Sequence, residues 1–254
     1  MKVNNAYRAQ GSNPKPRDVL DETYRLDFTL KTCAPTCTCT GEVDVRDDPR
    51  SGYRMVYRAY RKGSRPALYA SSIKGAISTY FLAVNDDPVL AGDVFGDMGL
   101  EGRVRVEDGV PVSASPGLTE QKIGRQWRPR RPCDGIKLYD ETQLRSGKGE
   151  IYVEAFDKGV SLAFSMIVYG SSKEEISRIL ASVGVRKGGN RGFKIGRGKE
   201  MGFGVVRVEK FKVWKLNRLK WVELRDQEVV ELTERSTQII ERREKGNEIF
   251  VTCR

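Results

Sequence analysis

Seven glycines fall within the eighteen residues 187–204, and Lys187, Arg191, Lys194, Arg197 and Lys199 stand between them. Glycine lets backbone N–H groups come close to a phosphate, and the cations neutralise it. Gly196, Arg197, Gly198 and Lys199 are the densest part of the run. No Gly-Lys-Ser/Thr opens a helix there, so the segment is not a Walker loop. A flexible hairpin loop is the plain alternative. The coincidence of charge and glycine beside a sheet edge favours nucleic acid.

A second anion-friendly feature is Ser71-Ser72-Ile73-Lys74-Gly75. Ile73, Ala76, Ile77, Tyr80, Phe81 and Val84 make the stripe of a helix with one buried face. Ser71 or Ser72 suits the N-cap. Hydroxyls, an ammonium and free N–H groups then meet at the positive end of the helix dipole. An ordinary capped helix carries the same signature.

Cys33, Cys37 and Cys39, with Cys133 as a fourth, could offer thiolates to zinc. No CxxC pair is present, so unligated thiols are the better reading. A disulfide from Cys33 to Cys37, Cys39 or Cys133 is the other. Asp44, Asp47 and Asp48 form an acidic patch, followed by a basic and aromatic run from Arg50 to Arg65. Arg125, Trp127, Arg128, Arg130 and Arg131 gather in a second cluster; such side chains stack on bases and pair with phosphates. Solvated loops have similar compositions.

Histidine is absent, which excludes imidazole acid–base catalysis, Ser-His-Asp triads and histidine metal ligands. Lys plus Arg number 45 against 34 Asp plus Glu, a net charge of +11. That excess points to a polyanion partner. No apolar run reaches the ~18 residues of a membrane span, and no signal-peptide pattern opens the chain. A soluble, cytoplasmic protein with no membrane partner is expected.

The elements that must position these residues follow from periodicity. Residues 24–32 alternate as a half-buried strand, and a helix covers 72–84. A short strand covers 103–108, and a strand pair covers 150–156 and 160–169 around the turn at Asp157-Lys158-Gly159. Ser172 and Glu175 form the capping box of a helix over 173–183, which Gly184 ends. A strand over 203–214 closes the order. This is an α+β, ferredoxin-like (RRM-like) βαββαβ core. It forms one domain, 1–254, with long insertions after the first and second strands at about 33–70 and 109–148. Residues 1–20 read as a loosely docked arm. The C-terminal extension, about 217–254, carries a strand near 220–224, a helical pattern from Val229 to Ile240, and an edge strand over 248–252.

Three segments in this order resemble the RAMP superfamily of CRISPR effector proteins. Tyr69-Ala70-Ser71-Ser72-Ile73-Lys74-Gly75 is similar to the family's Pro-Gly-Ser-Ser-Leu-Lys-Gly helix start, with Tyr69-Ala70 where the family has Pro-Gly. Phe95-Gly96 and the strand from Gly102 to Asp108 resemble its Phe-Gly and Asp-ended strand. Gly196–Gly204 running into Val205 resembles its glycine-rich loop before the last core strand. The similarity spans about residues 24–215 and is greatest to the backbone subunit of type III effector complexes.

The resemblance implies an RNA-binding subunit that holds guide RNA for pairing with invading target RNA, beside other effector subunits. It implies RNA contacts at Ser71, Ser72, Lys74, Arg191, Gly196, Arg197, Gly198 and Lys199. Arg125, Arg128 and Arg130 match the family's protruding hairpin. Related members cleave target RNA with an aspartate between the first strand and first helix. Asp44 is at the similar position, with Asp47 and Asp48 as rivals. There it would orient a ribose 2′-OH or a divalent metal; zinc is the lesser cofactor expectation. A CRISPR RNA-processing endoribonuclease and a purely structural scaffold are the alternatives.

Overall fold

A computed structural model gives the fold and describes residues 23–49, 52–123, 151–245 and 249–253. Strand β1 (Tyr24–Thr32) buries Tyr24, Leu26, Phe28 and Leu30 on one face, as its alternation demands. The chain then leaves this sheet. Strands β2 (Cys39–Asp48) and β3 (Gly52–Ala59) pair as an antiparallel hairpin, and β4 (Arg61–Lys62) and β5 (Arg65–Pro66) form a small turn. Helix α1 (Ala70–Asn85) buries the expected stripe Ile73, Ala76, Ile77, Tyr80, Phe81 and Val84.

Helix α2 (Pro88–Phe95) follows directly, with Asp87 as N-cap. Strands β6 (Gly96–Asp97) and β7 (Leu100–Glu101) make a hairpin that returns to β8 (Val104–Val106). Gly102 packs on the Phe95–Gly96 peptide so closely that a Cβ would run into it. Arg103 then pairs with Asp93 at 2.6 Å and Glu175 at 2.8 Å, tying α2 and β8 to the second core helix.

Next come β9 (Val110–Pro111), β10 (Leu118–Ile123), β11 (Ile151–Phe156) and β12 (Ser161–Val168). Helix α3 (Lys173–Ser182) has the full Ser172–Glu175 capping box. Strands β13 (Gly192–Lys194), β14 (Val205–Asn217) and β15 (Lys220–Glu223) lead to α4 (Asp226–Glu244).

The main sheet runs β13-β14-β1-β12-β8, with every pair antiparallel. Beyond β13, its strands β14, β1, β12 and β8 stand in the order fourth, first, third, second of a βαββαβ chain, with α1 and α3 as the crossovers. That is the ferredoxin-like arrangement. Leu232, Ser236 and Ile240 of α4 are buried beside α3, and the Ser236 hydroxyl donates to the Val185 carbonyl at 2.5 Å.

The expected strand pair needs correction. Residues 151–156 and 161–168 are not a hairpin. The turn at 157–160 hands the chain from one sheet to another, and β11 pairs with β10 and, in parallel, with β3. The insertion at about 33–70, to which periodicity assigned no element, also carries strands. Strands from both insertions build a second sheet, β10-β11-β3-β2. Its outer strands are too polar to read as core strands.

In the C-terminal stretch, the predicted edge strand reduces to one bridge, Gly192 to Val251. Cys33 is joined to Cys253, 220 residues away, a partner that spacing did not suggest. This removes Cys33 from any zinc set. Among the described residues, no helix is long and apolar enough to cross a membrane.

Candidate nucleic-acid interface

The glycine-rich run is not one loop. Strand β13 divides it, and each half has its own neighbour. In the first half, Lys187 pairs with Glu234 at 3.3 Å and Arg191 with Glu244 at 3.5 Å, both on α4. In the second half, Ile195 donates to Gly204 at 2.9 Å and Met201 to Gly198 at 2.8 Å, closing a tight turn over 195–204.

That turn rests on residues 35–37. Gly204 donates its N–H to the Pro35 carbonyl at 2.8 Å, and Arg197 donates to that of Cys37 at 3.1 Å. Gly196 has φ +82°, and a Cβ there would run into the Cys37 carbonyl oxygen. Glycine is needed at 196 for contact with the chain's own backbone. Lys194 is fully buried, and its ammonium donates to the Lys199 carbonyl at 2.9 Å. It is a strut of the turn.

The start of α1 rests on the next residue of the same segment. Tyr69 donates its N–H to Thr38 Oγ1 at 2.8 Å. The helix begins at Ala70 with Tyr69 in the N-cap position, so neither Ser71 nor Ser72 caps it. The capping oxygen arrives from elsewhere in the chain: Asp108 Oδ1 accepts from Ala70 N–H at 2.8 Å, while Oδ2 accepts from the Tyr60 hydroxyl at 3.1 Å. Ser71 is exposed; Ser72 and Lys74 are half-buried. The side chains of all three have no hydrogen bond or ion pair with any described residue. Thus Cys37 and Thr38, adjacent in sequence, join the glycine turn to the helix start.

Arg197 extends from the turn across the second sheet. Its guanidinium carbon lies 4.0 Å from the centroid of the Tyr57 ring. The Nε of Arg197 is buried and has no hydrogen-bond partner among the described residues. Beneath it, Cys37, Ile123, Val153, Ala155 and Phe203 form a small core joining turn and sheet. The sulfurs of Cys37 and Cys39 are 2.9 Å apart. The hydrogen bond to Cys39, then burial, pushes the Cys37 thiol well up. Its counterpart lowers Cys39, with a further contribution from the charge of Arg197.

Asp44 lies on β2, in a lattice of charges on the other face of the second sheet. It pairs with Arg58 at 2.7 Å and with Arg46 at 3.2 Å. The Arg58 hydrogen bond is the main cause that holds its carboxyl below the usual range. Arg46 also meets Glu120 and, at 3.5 Å, Glu154. A guanidinium therefore stands where these carboxylates converge. No group of three metal-ligating side chains occurs among the described residues.

Ser71, Ser72, Lys74, Gly196, Arg197, Gly198 and Lys199 thus gather around the Pro35–Thr38 segment. Arg191 faces α4 instead, and Asp44 belongs to the sheet's opposite face. Arg125, Arg128, Arg130 and Cys133 lie outside the described residues. The sequence reading missed Thr38, Tyr57 and Asp108 as positioning residues. Only Asp108 carried a local signal, as the end of the Gly102–Asp108 motif.

A family model described as the RAMP superfamily matches residues 30–207. A search of curated proteins finds no match. Among solved structures, the chain is similar to one in "Cryo-EM structure of the Type III-B Cmr-beta bound to cognate target RNA", at 16% identity and a TM-score of 0.47. The likeness covers 77% of this chain and 62% of that one.

Proposed function

The chain belongs to the RAMP superfamily, and from that premise we propose that it is an RNA-binding subunit of a type III CRISPR ribonucleoprotein. Its task is to hold the backbone of guide RNA so that the bases can pair with target RNA, beside other effector subunits. The observation that carries this reading is Arg197: a guanidinium stacked on Tyr57, with a buried Nε that no described residue satisfies. A buried N–H without an acceptor is costly, and a phosphate beside it would supply one. Lys74 and the hydroxyls of Ser71 and Ser72 supply further unengaged donors across the Thr38 seat. The net charge of +11 favours the same ligand class.

Target cleavage at Asp44 is the finer part of the proposal. The carboxylate stays ionised between Arg58 and Arg46. An ionised carboxylate can accept the proton of a ribose 2′-OH while a neighbouring guanidinium neutralises the phosphate under attack; the 2′-oxygen bonds to phosphorus as the P–O5′ bond breaks, and solvent water protonates the leaving 5′-oxygen. Asp44 and its two arginines are the groups this step uses; Glu120 and Glu154 are already committed to arginine.

Single-stranded RNA titrated against the purified full chain tests the main reading. Lys74→Ala and Arg197→Ala are each expected to weaken binding by about 1–2 kcal/mol, the scale of one charge-assisted hydrogen bond. Unchanged affinity in both variants would leave a structural scaffold as the better account. Specific cleavage of repeat RNA by the isolated chain would favour the processing endoribonuclease.

A further inference from the structure

The far end of α1 carries a second cationic feature. A cleft of about 420 Å³ opens between the last turn of α1, α3 and α4. Four arginines line it: Arg178 from α3, and Arg235, Arg242 and Arg243 from α4. Ile239 supplies apolar surface between them, over the buried Val84. The cleft lies about 20 Å along the helix from Ser71 and Ser72, at 1.5 Å rise per residue.

Two of the arginines are fixed in place. Arg178 pairs with Glu174 at 2.7 Å. Arg243 pairs with Asp86 at 2.9 Å and donates from Nε to the Val84 carbonyl at 3.2 Å. The other two are not engaged. Arg235 and Arg242 have no hydrogen bond or ion pair with any described residue. They sit seven positions apart, two turns along one side of α4, bordering its buried stripe. Self-repulsion in this cleft is therefore only partly offset by the protein's own carboxylates.

We infer that this cleft is a second RNA contact, which takes a phosphate-bearing nucleotide of a single strand. The inference rests on the RNA-binding reading above. Planar guanidinium forks match phosphate oxygens two at a time. The half-buried side chain of Ile239 gives a base or ribose somewhere to lie. The volume lies within the range of small-ligand sites and is too small for a duplex.

Binding of single-stranded RNA to the full chain is measured across a salt series for wild type, Arg235→Ala/Arg242→Ala and Arg197→Ala. Both cleft residues are exposed, so the double variant should unfold as wild type does. It is expected to bind about tenfold more weakly, with the salt slope reduced by about 0.7, the value for one phosphate no longer neutralised. If the double variant keeps both affinity and slope while Arg197→Ala is weakened, the cleft inference falls and the RNA reading stands. If neither variant changes RNA binding, both fall. If the double variant keeps its RNA slope but loses a copurifying protein subunit, the cleft receives an acidic protein surface and the inference is overturned.

Discussion

The guanidinium of Arg197 lies 4.0 Å over the ring of Tyr57, joining the glycine-rich turn to the second sheet. The pair fixes the direction of a long side chain that would otherwise sample many rotamers. Tyr57→Leu should therefore weaken RNA binding although Tyr57 carries no charge. The expected loss is about 1 kcal/mol, the scale of a partly exposed cation–π pair. Tyr57→Phe, which keeps the ring face, should bind within about twofold of wild type. Equal losses in both variants would point to the hydroxyl and against the stack.

Gly196 and Gly75 should respond oppositely to alanine. A Cβ at Gly196 runs into the Cys37 carbonyl, at a φ of +82° that L-residues rarely adopt. Gly196→Ala should cost about 2–3 kcal/mol in denaturant unfolding. Gly75 lies within α1, and a Cβ there meets nothing within 4 Å. Gly75→Ala should stabilise by about 0.5–1 kcal/mol. A neutral Gly196→Ala would show that the turn does not seat on residues 35–37.

Asp44 is held ionised by Arg58 and Arg46. If it serves cleavage, Asp44→Asn in the assembled complex should abolish target cutting and leave RNA binding unchanged. Its depressed pKa also means that no acid limb from this group appears in the cleavage rate above about pH 4. Cutting at every usual position by the variant would remove Asp44 from the reaction.

Tyr80 makes alkaline stability a test of the core. Its phenol is pushed from 10.0 up to about 12, chiefly by burial. Below 10.0 it is protonated whether the chain is folded or not. Between 10.0 and about 12 the unfolded chain gives up the proton first, so stability falls as pH rises. The full separation corresponds to about 3 kcal/mol. Tyr80→Phe should lose less stability over that window than wild type, although it also loses the hydrogen bond from Lys194 N–H. Parallel curves for the two proteins would show that Tyr80 is hydrated.

Periodicity was a reliable guide wherever an element meets the main core. The stripe of α1, the Ser172–Glu175 box of α3 and the alternation of β1 all stand as the sequence implies. Their pattern is dictated by one apolar face against one core. Strands β2 and β10 have no such pattern. The sheet that holds them closes only where Met55 of β3 meets Ile151 of β11, and what links its two edges is charge, as in Arg46 with Glu120. No local window contains that information.

The same division runs through the candidate site. Residue types alone supplied the anion-binding chemistry: hydroxyls and Lys74 at a helix start, and glycines with cations before a strand. Their order could not say that Asp108 caps that helix, that Thr38 anchors it, or that Gly196 serves a contact with Cys37. Nor could it separate Arg191, whose guanidinium meets Glu244, from Arg197, whose guanidinium meets the Tyr57 ring and no carboxylate among the described residues. Composition and local order determine which groups a chain can offer. Which of them remain uncommitted is decided by partners brought close only when distant segments pack, and that is settled in the tertiary structure.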